Sequence, residues 1–245
     1  MEIGIIGGSG LDNPSLLEDY REVEVFSKYG KPSSTITLGR LYGNDLFIIA
    51  RHGRNHEIPP SQINYRANIS ALDSLGCRRI IATSAVGSLK EEIAPGHIVF
   101  PDQFIDFTKQ RKLTFYDEPG KVVHLQCAEP FSEYLREILI NSAEELGIYN
   151  HKRATTIVFE GPRFSTKAES FFFRQFADIL SMTLVPEITL ANELGIEYAT
   201  IAMSTDYDCW KTDEPPVTWE GVQDTLKENA EKVKKILLKS LEKLR

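Results

Sequence analysis

Residues 1–11 read MEIGIIGGSGL, and this opening decides the fold class. Residues 2–6 are a short apolar run, a buried strand, that empties into Gly7, Gly8, Ser9 and Gly10. The missing Cβ atoms let the backbone turn tightly there, and Pro14 keeps a long helix from starting at once. Further along, short apolar runs alternate with helical patterns from end to end. Strands are expected at 46–50, 79–84, 97–100, 155–159, 179–183 and 197–204. Helices are expected at about 59–75, 131–146 and 186–194, with an aromatic one through 171–173 and an amphipathic one over about 222–244. Within 21–51 there is room for two or three strands with Gly43, Asn44 and Asp45 as a hairpin turn, while 101–127 reads as mostly loop. This rhythm, without repeats or a linker, is that of a single α/β domain over residues 1–245.

Charge narrows the possible partners. Lys plus Arg number 28 against 35 for Asp plus Glu, a net charge of −7, so no broad cationic surface is offered to nucleic acid. No run approaches the ~20 apolar residues of a membrane span, and no signal peptide is evident, so the expectation is a soluble, cytoplasmic protein without a membrane partner. Cys77, Cys127 and Cys209 are odd in number, widely spaced and form no CxxC, which favours free thiols over a disulfide framework or zinc site.

Several strands end in polar groups: Ser9, Arg51 with His52, Ser84, Thr183, and Asp206 with Asp208. In an open α/β sheet the carboxyl ends of strands converge on one crevice. Arg, His, hydroxyls and Gly-rich backbone N–H groups are what an oxyanion with many lone pairs requires, so the inventory reads as a phosphate cup. It is not a standard nucleotide loop: no Lys follows Gly10, and Asn13 stands where a GxGxxG would need glycine. His52 and His56 have the spacing of a zincin helix. The Glu after the first His is missing, however, and Gly53, Pro59 and Pro60 oppose a helix, so no metal is expected.

Asp206 and Asp208 lie two apart beyond an apolar strand, where extended backbone would aim both carboxylates to one side. Two like charges in a partly desolvated pocket resist joint ionisation, and one can keep its proton near neutral pH. Such a pair accepts from an exocyclic amine and donates to a ring nitrogen, the edge that adenine presents. Phe164 could add a stacking face and Ser165 a polar contact, whereas residues 171–173 read as core.

Together, GIIGGSGL, ARHGRNH, NYRANISAL, GSLKEEIAPGHIV, DQFIDFT, EGPRFSTKAES, SMTLVPE and AMSTDYDCW resemble the trimeric purine nucleoside phosphorylases, from Ile3 to the final helix. The resemblance implies a mixed central β-sheet flanked by helices and a homo-oligomer, a trimer or a pair of trimers. It implies phosphate-dependent cleavage of a purine nucleoside, within the family 5'-methylthioadenosine, with inorganic phosphate as co-substrate and no metal or organic cofactor. By motif, Ser9, Arg51, His52, Ser84, the Ala85 backbone and Thr183 would hold phosphate, and Met182 would pack under the ribose. Asp206 would face N7 and the 6-amino group, and Asp208 the amine, with Phe164 and Ser165 at the base. His56, Trp219, Val222 and Gln223 would line the 5' end, reached by His124 from a neighbouring subunit. Trp219, Val222 and Gln223 depart from the family's small aliphatic lining, which leaves adenosine, methylthioinosine or inosine as alternative substrates. A hydrolytic nucleosidase or a non-catalytic purine binder are the other readings; the first would need no phosphate and the second would release no base.

Overall fold

A computed structural model describes residues 1–7, 16–214 and 217–244. Its strand β1 (Glu2–Ile6) lies inside the sheet, parallel to β4 (Asn44–Ile49) on one side and β5 (Arg79–Ser88) on the other. Side chains alternate across β1: Ile3 and Ile5 join one buried cluster and Ile6 the other. Beyond β4 the sheet is extended antiparallel by β3 (Ile36–Leu41) and β2 (Glu18–Val23).

β5 is where the sheet branches. Its length lets it pair with β1, with the parallel β11 (Glu197–Asp206) along its whole run, and through Gly87 and Ser88 with the antiparallel β10 (Ile179–Ser181). β10 continues to β9 (Thr155–Phe159) and β7 (Gln103–Phe107), while β11 continues to β6 (Ile98–Val99) and β8 (Asn150–His151). The sheet is thus mixed, as expected. Helices α1 (Tyr65–Ser74) and α4 (Leu184–Glu193) cover one face through Ile69, Leu72, Ile188 and Ala191. On the other face, α2 (Glu133–Glu145) and α5 (Trp219–Lys243) pack through Leu135, Leu139, Leu237 and Leu241. The short α3 (Lys167–Phe173) follows β9. Among the described residues no helix is long and apolar enough to cross a membrane. Cys77, Cys127 and Cys209 are free.

Three expectations need correction. The hairpin turn is Tyr42–Gly43, both at positive φ, and Asn44 already belongs to β4, where its buried amide donates to the Leu241 carbonyl. Pro60–Gln62 form only a 3-10 turn; Ile63 is extended, and the helix starts after Asn64, whose side chain caps it by accepting from the Ala67 N–H. The 101–127 stretch is mostly loop, as expected, and adds only β7, an edge strand whose half-exposed residues gave no apolar run. Of the three consecutive phenylalanines only Phe173 is core; a helical step of 100° leaves Phe171 and Phe172 exposed.

Candidate active site

One cavity of about 520 Å³ opens where β5, β10 and β11 end, roofed by the start of α5. Arg51 leaves the end of β4 and is buried. Its Nε and Nη2 donate to the two carboxylate oxygens of Glu187 at 2.8 and 2.7 Å, and its Nη1 donates to the Thr83 carbonyl at 2.7 Å. Burial opposes its charge, but Glu187 more than restores it, so its pKa is raised. Gly7 lines the same wall at φ 124°, and a Cβ there would sit 2.3 Å from the Thr83 hydroxyl, so only glycine fits this approach. Ser9 lies outside the described residues.

The hydroxyl of Ser84, on β5, stands 3.4 Å from those of Ser181 and Thr183, and Ala85 follows it along the wall. His52 donates from Nδ1 to the Ile58 carbonyl at 2.8 Å, which leaves Nε2 as an acceptor in the neutral ring. Burial, with Arg51 and His56 beside it, lowers its pKa to about 4 against the pull of that hydrogen bond. Its ring stacks on His56, centroids 4.4 Å apart, and His56 meets Trp219 at 4.9 Å. HGRNH is therefore a turn, with His56 at φ 56°.

The two aspartates converge in another way than expected. β11 bulges between Ser204 and Asp206, and Asp208, at φ 51°, opens a 3-10 turn that ends at Trp210. A turn rather than extended backbone brings the carboxylates together, with the Asp208 N–H donating to Asp206 Oδ1 at 2.8 Å. Trp210 fixes the turn by donating from Nε1 to the Ser88 carbonyl at 2.8 Å. Burial first, and the neighbouring Asp208 charge with it, raises the Asp206 pKa to about 6, against hydrogen bonds from the Thr205 hydroxyl and the Asp208 N–H. Asp208 Oδ1 accepts from Ser165 at 2.5 Å, and its buried Oδ2 has no hydrogen-bond partner among the described residues. Ser165 thus meets the cavity through Asp208, while Phe164 and Met182 line it directly.

Trp219 and Val222 also line the cavity, joined by Leu226, Ala230 and Val233 at helical spacing. Gln223 does not: one residue beyond Val222, it is turned about 100° off that stripe. His124 is exposed and stands apart from the cavity of its own chain. The sequence reading assigned no part to Glu187, Thr83 or Thr205. The signal for Glu187 was a lone carboxylate among the apolar residues of LVPEITLA, a pattern that requires a buried partner.

Residues 2–242 match the family described as the Phosphorylase superfamily. The chain belongs to the phosphorylase superfamily. Within it, the chain is 54% identical over 245 residues to S-methyl-5'-thioadenosine phosphorylase of Hyperthermus butylicus, covering 99% of this chain and 88% of that one. It is 51% identical over 246 residues to the enzyme of the same name from Danio rerio, covering 98% and 88%. Among solved structures, methylthioadenosine phosphorylase from Schistosoma mansoni in complex with adenine superposes with a TM-score of 0.94 at 40% identity, covering 100% of this chain and 92% of that one. A mutant adenosine/methylthioadenosine phosphorylase from the same organism, in complex with methylthioadenosine, gives a TM-score of 0.93 at 39% identity, covering 100% and 91%. The cavity has a cationic, hydroxyl-rich end lined by Arg51, Ser84 and Thr183 and an acidic end lined by Asp206 and Asp208.

Proposed function

We propose that this protein cleaves the N-glycosidic bond of 5'-methylthioadenosine with inorganic phosphate, releasing adenine and 5-methylthioribose 1-phosphate. The observation that carries the reading is that Arg51, Ser84 and Thr183 open onto the same cavity as Asp206 and Asp208. An anion held at one end can reach a sugar carbon while acids grip the departing base at the other. The names of the relatives add to this support.

In this reading Arg51, Ser84, the Ala85 N–H and Thr183 donate to phosphate, and His52, whose free Nε2 is an acceptor, accepts from its P–OH rather than donating as the sequence suggested; Ser9 completes the cup, and Met182 packs under the ribose. The phosphate attacks C1' as the bond to the base breaks through an oxocarbenium-like transition state. Negative charge then develops on the purine. Asp206 delivers a proton at N7, where that charge forms, and Asp208 accepts from the 6-amino group with its unpartnered oxygen. Phe164 faces the base, Ser165 orients Asp208, and His56, Trp219 and Val222 enclose the 5' group. Phosphate is a co-substrate, and no metal or organic cofactor takes part. The same reading makes the enzyme a cytoplasmic homotrimer serving purine and methionine salvage, with His124 reaching a neighbour's site; light scattering checks the assembly.

The deciding experiment follows adenine release from 5'-methylthioadenosine with and without phosphate. Release only with phosphate, together with methylthioribose 1-phosphate, is expected. Equal release in phosphate-free buffer would mean a nucleosidase, and none under either condition a binder.

A further inference from the structure

Arg51 has five N–H donors, and three are spent inside the protein: Nε and Nη2 on Glu187, Nη1 on the Thr83 carbonyl. One N–H on each terminal nitrogen is left. Glu187 is fully buried on α4, and its Oε1 also accepts from the Tyr198 hydroxyl of β11 at 2.6 Å. Tyr198 is itself fully buried, and burial first, then Glu187, raises its pKa, so it stays a donor. The guanidinium plane is therefore tied to three elements, α4 and β11 through the carboxylate and β5 through Thr83. Thr83 immediately precedes Ser84, so Arg51 is anchored to the strand that carries the first hydroxyl of the cup.

We propose that Glu187 is the positioning residue of the phosphate site: steadied by Tyr198, it clamps Arg51 side-on and leaves the two remaining N–H groups as a fork toward the anion. This rests on the phosphorolysis reading above. Glu187 also cancels the charge of Arg51, and that effect alone would act in the opposite direction. Without the carboxylate, an uncompensated guanidinium attracts phosphate more strongly, whereas a loose guanidinium binds it less well. The sign of the change in phosphate affinity separates positioning from simple charge balance.

The test is steady-state kinetics of Glu187→Gln and Tyr198→Phe with both substrates varied. Gln keeps the shape but offers one acceptor where two are needed, so its KM for phosphate is expected to rise about tenfold while KM for the nucleoside moves less than about twofold. Tyr198→Phe, which leaves the ion pair in place, is expected to shift KM for phosphate about threefold in the same direction. It keeps the proposal open to refutation should Glu187→Gln fail to fold. An unchanged or lower KM for phosphate in the folded variants, or equal rises for both substrates, overturns the proposal and leaves phosphorolysis standing. Wild-type turnover that needs no phosphate overturns the reading beneath it, and the proposal with it.

Discussion

At one end of the cavity a buried cation, Arg51, meets a buried carboxylate in a bidentate pair; at the other, Asp206 and Asp208 stand together and, among the described residues, neither pairs with a cation. The same problem, charge out of water, thus has two answers. Where the charge must stay fixed, a partner holds it. Where it must move with a proton, the partner is left out, and Asp206 sits near neutral pH. If this contrast is right, the ends differ first in stability. Arg51→Ala strands Glu187 without a partner in the core, which is expected to cost about 3–5 kcal/mol, read as a fall in the denaturation midpoint. Arg51→Met with Glu187→Leu should regain most of that stability without regaining phosphate binding. Asp206→Asn should cost little at pH 7, because it removes an unpaired charge; a comparable loss there would break the contrast.

Turnover tests the acidic end. Asp206→Asn is expected to lower kcat for 5'-methylthioadenosine about 100-fold at saturating phosphate, since the amide has no proton of suitable acidity for N7. The loss should be smaller for a 6-oxo nucleoside, because the amide donates where the carboxylate accepted. Equal losses would place Asp206 outside base recognition.

The pH dependence of stability sharpens the comparison, because two cavity groups act with opposite sign. On acidification the unfolded chain protonates His52 near its ordinary 6.5, whereas the folded chain resists until about 4, so stability is lost across that window. For Asp206 the folded chain takes its proton near 6 and the unfolded chain near 3.8, so stability is gained as pH falls between them. Asp206→Asn should therefore steepen the loss from pH 6 to 4, and His52→Gln should flatten it, each by on the order of 2 kcal/mol. Denaturant midpoints across this range, with the wild type as reference, read both effects; the same sign in both variants would refute the assignment.

Strands beside the cavity were legible as short, mostly apolar runs followed by Gly or polar residues: 155–159 coincides with β9, and 2–6 with β1. So were Arg51 and Thr183, which follow the ends of β4 and β10 in chain order, whereas Ser84, expected at a strand end, lies inside β5. What stayed hidden depends on contacts across the fold. Glu187 lies 136 residues from Arg51, and no local pattern gives their pairing. The register of the carboxylates depends on a bulge and on the positive φ of Asp208, which a DxD spacing does not encode. The reach of β5 to Ser88 was hidden as well, because Ala85 to Ser88 look like a loop until β10 and β11 pair with them. Nor did the resemblance supply the face of α5: it grouped Trp219, Val222 and Gln223, where helical geometry separates the third from the others.

That separation sets the smallest expected effect. Trp219 meets His56 with its ring tilted, centroids 4.9 Å apart, and lies on the same stripe as Val222 and Leu226, so the lining on this side is mainly aromatic and aliphatic, with Lys227 beside it. A thioether sulfur gains from an aromatic neighbour what a hydroxyl does not, and such contacts are worth about 0.3–1.5 kcal/mol. Trp219→Ala should accordingly lower the ratio of kcat/KM for 5'-methylthioadenosine over adenosine by about 2- to 10-fold. Gln223→Leu, off the stripe, should change that ratio less than about twofold although it alters polarity more. A larger effect at Gln223 than at Trp219 would mean that the 5' group meets the other side of the helix, and the enclosure assigned to this end would have to be redrawn.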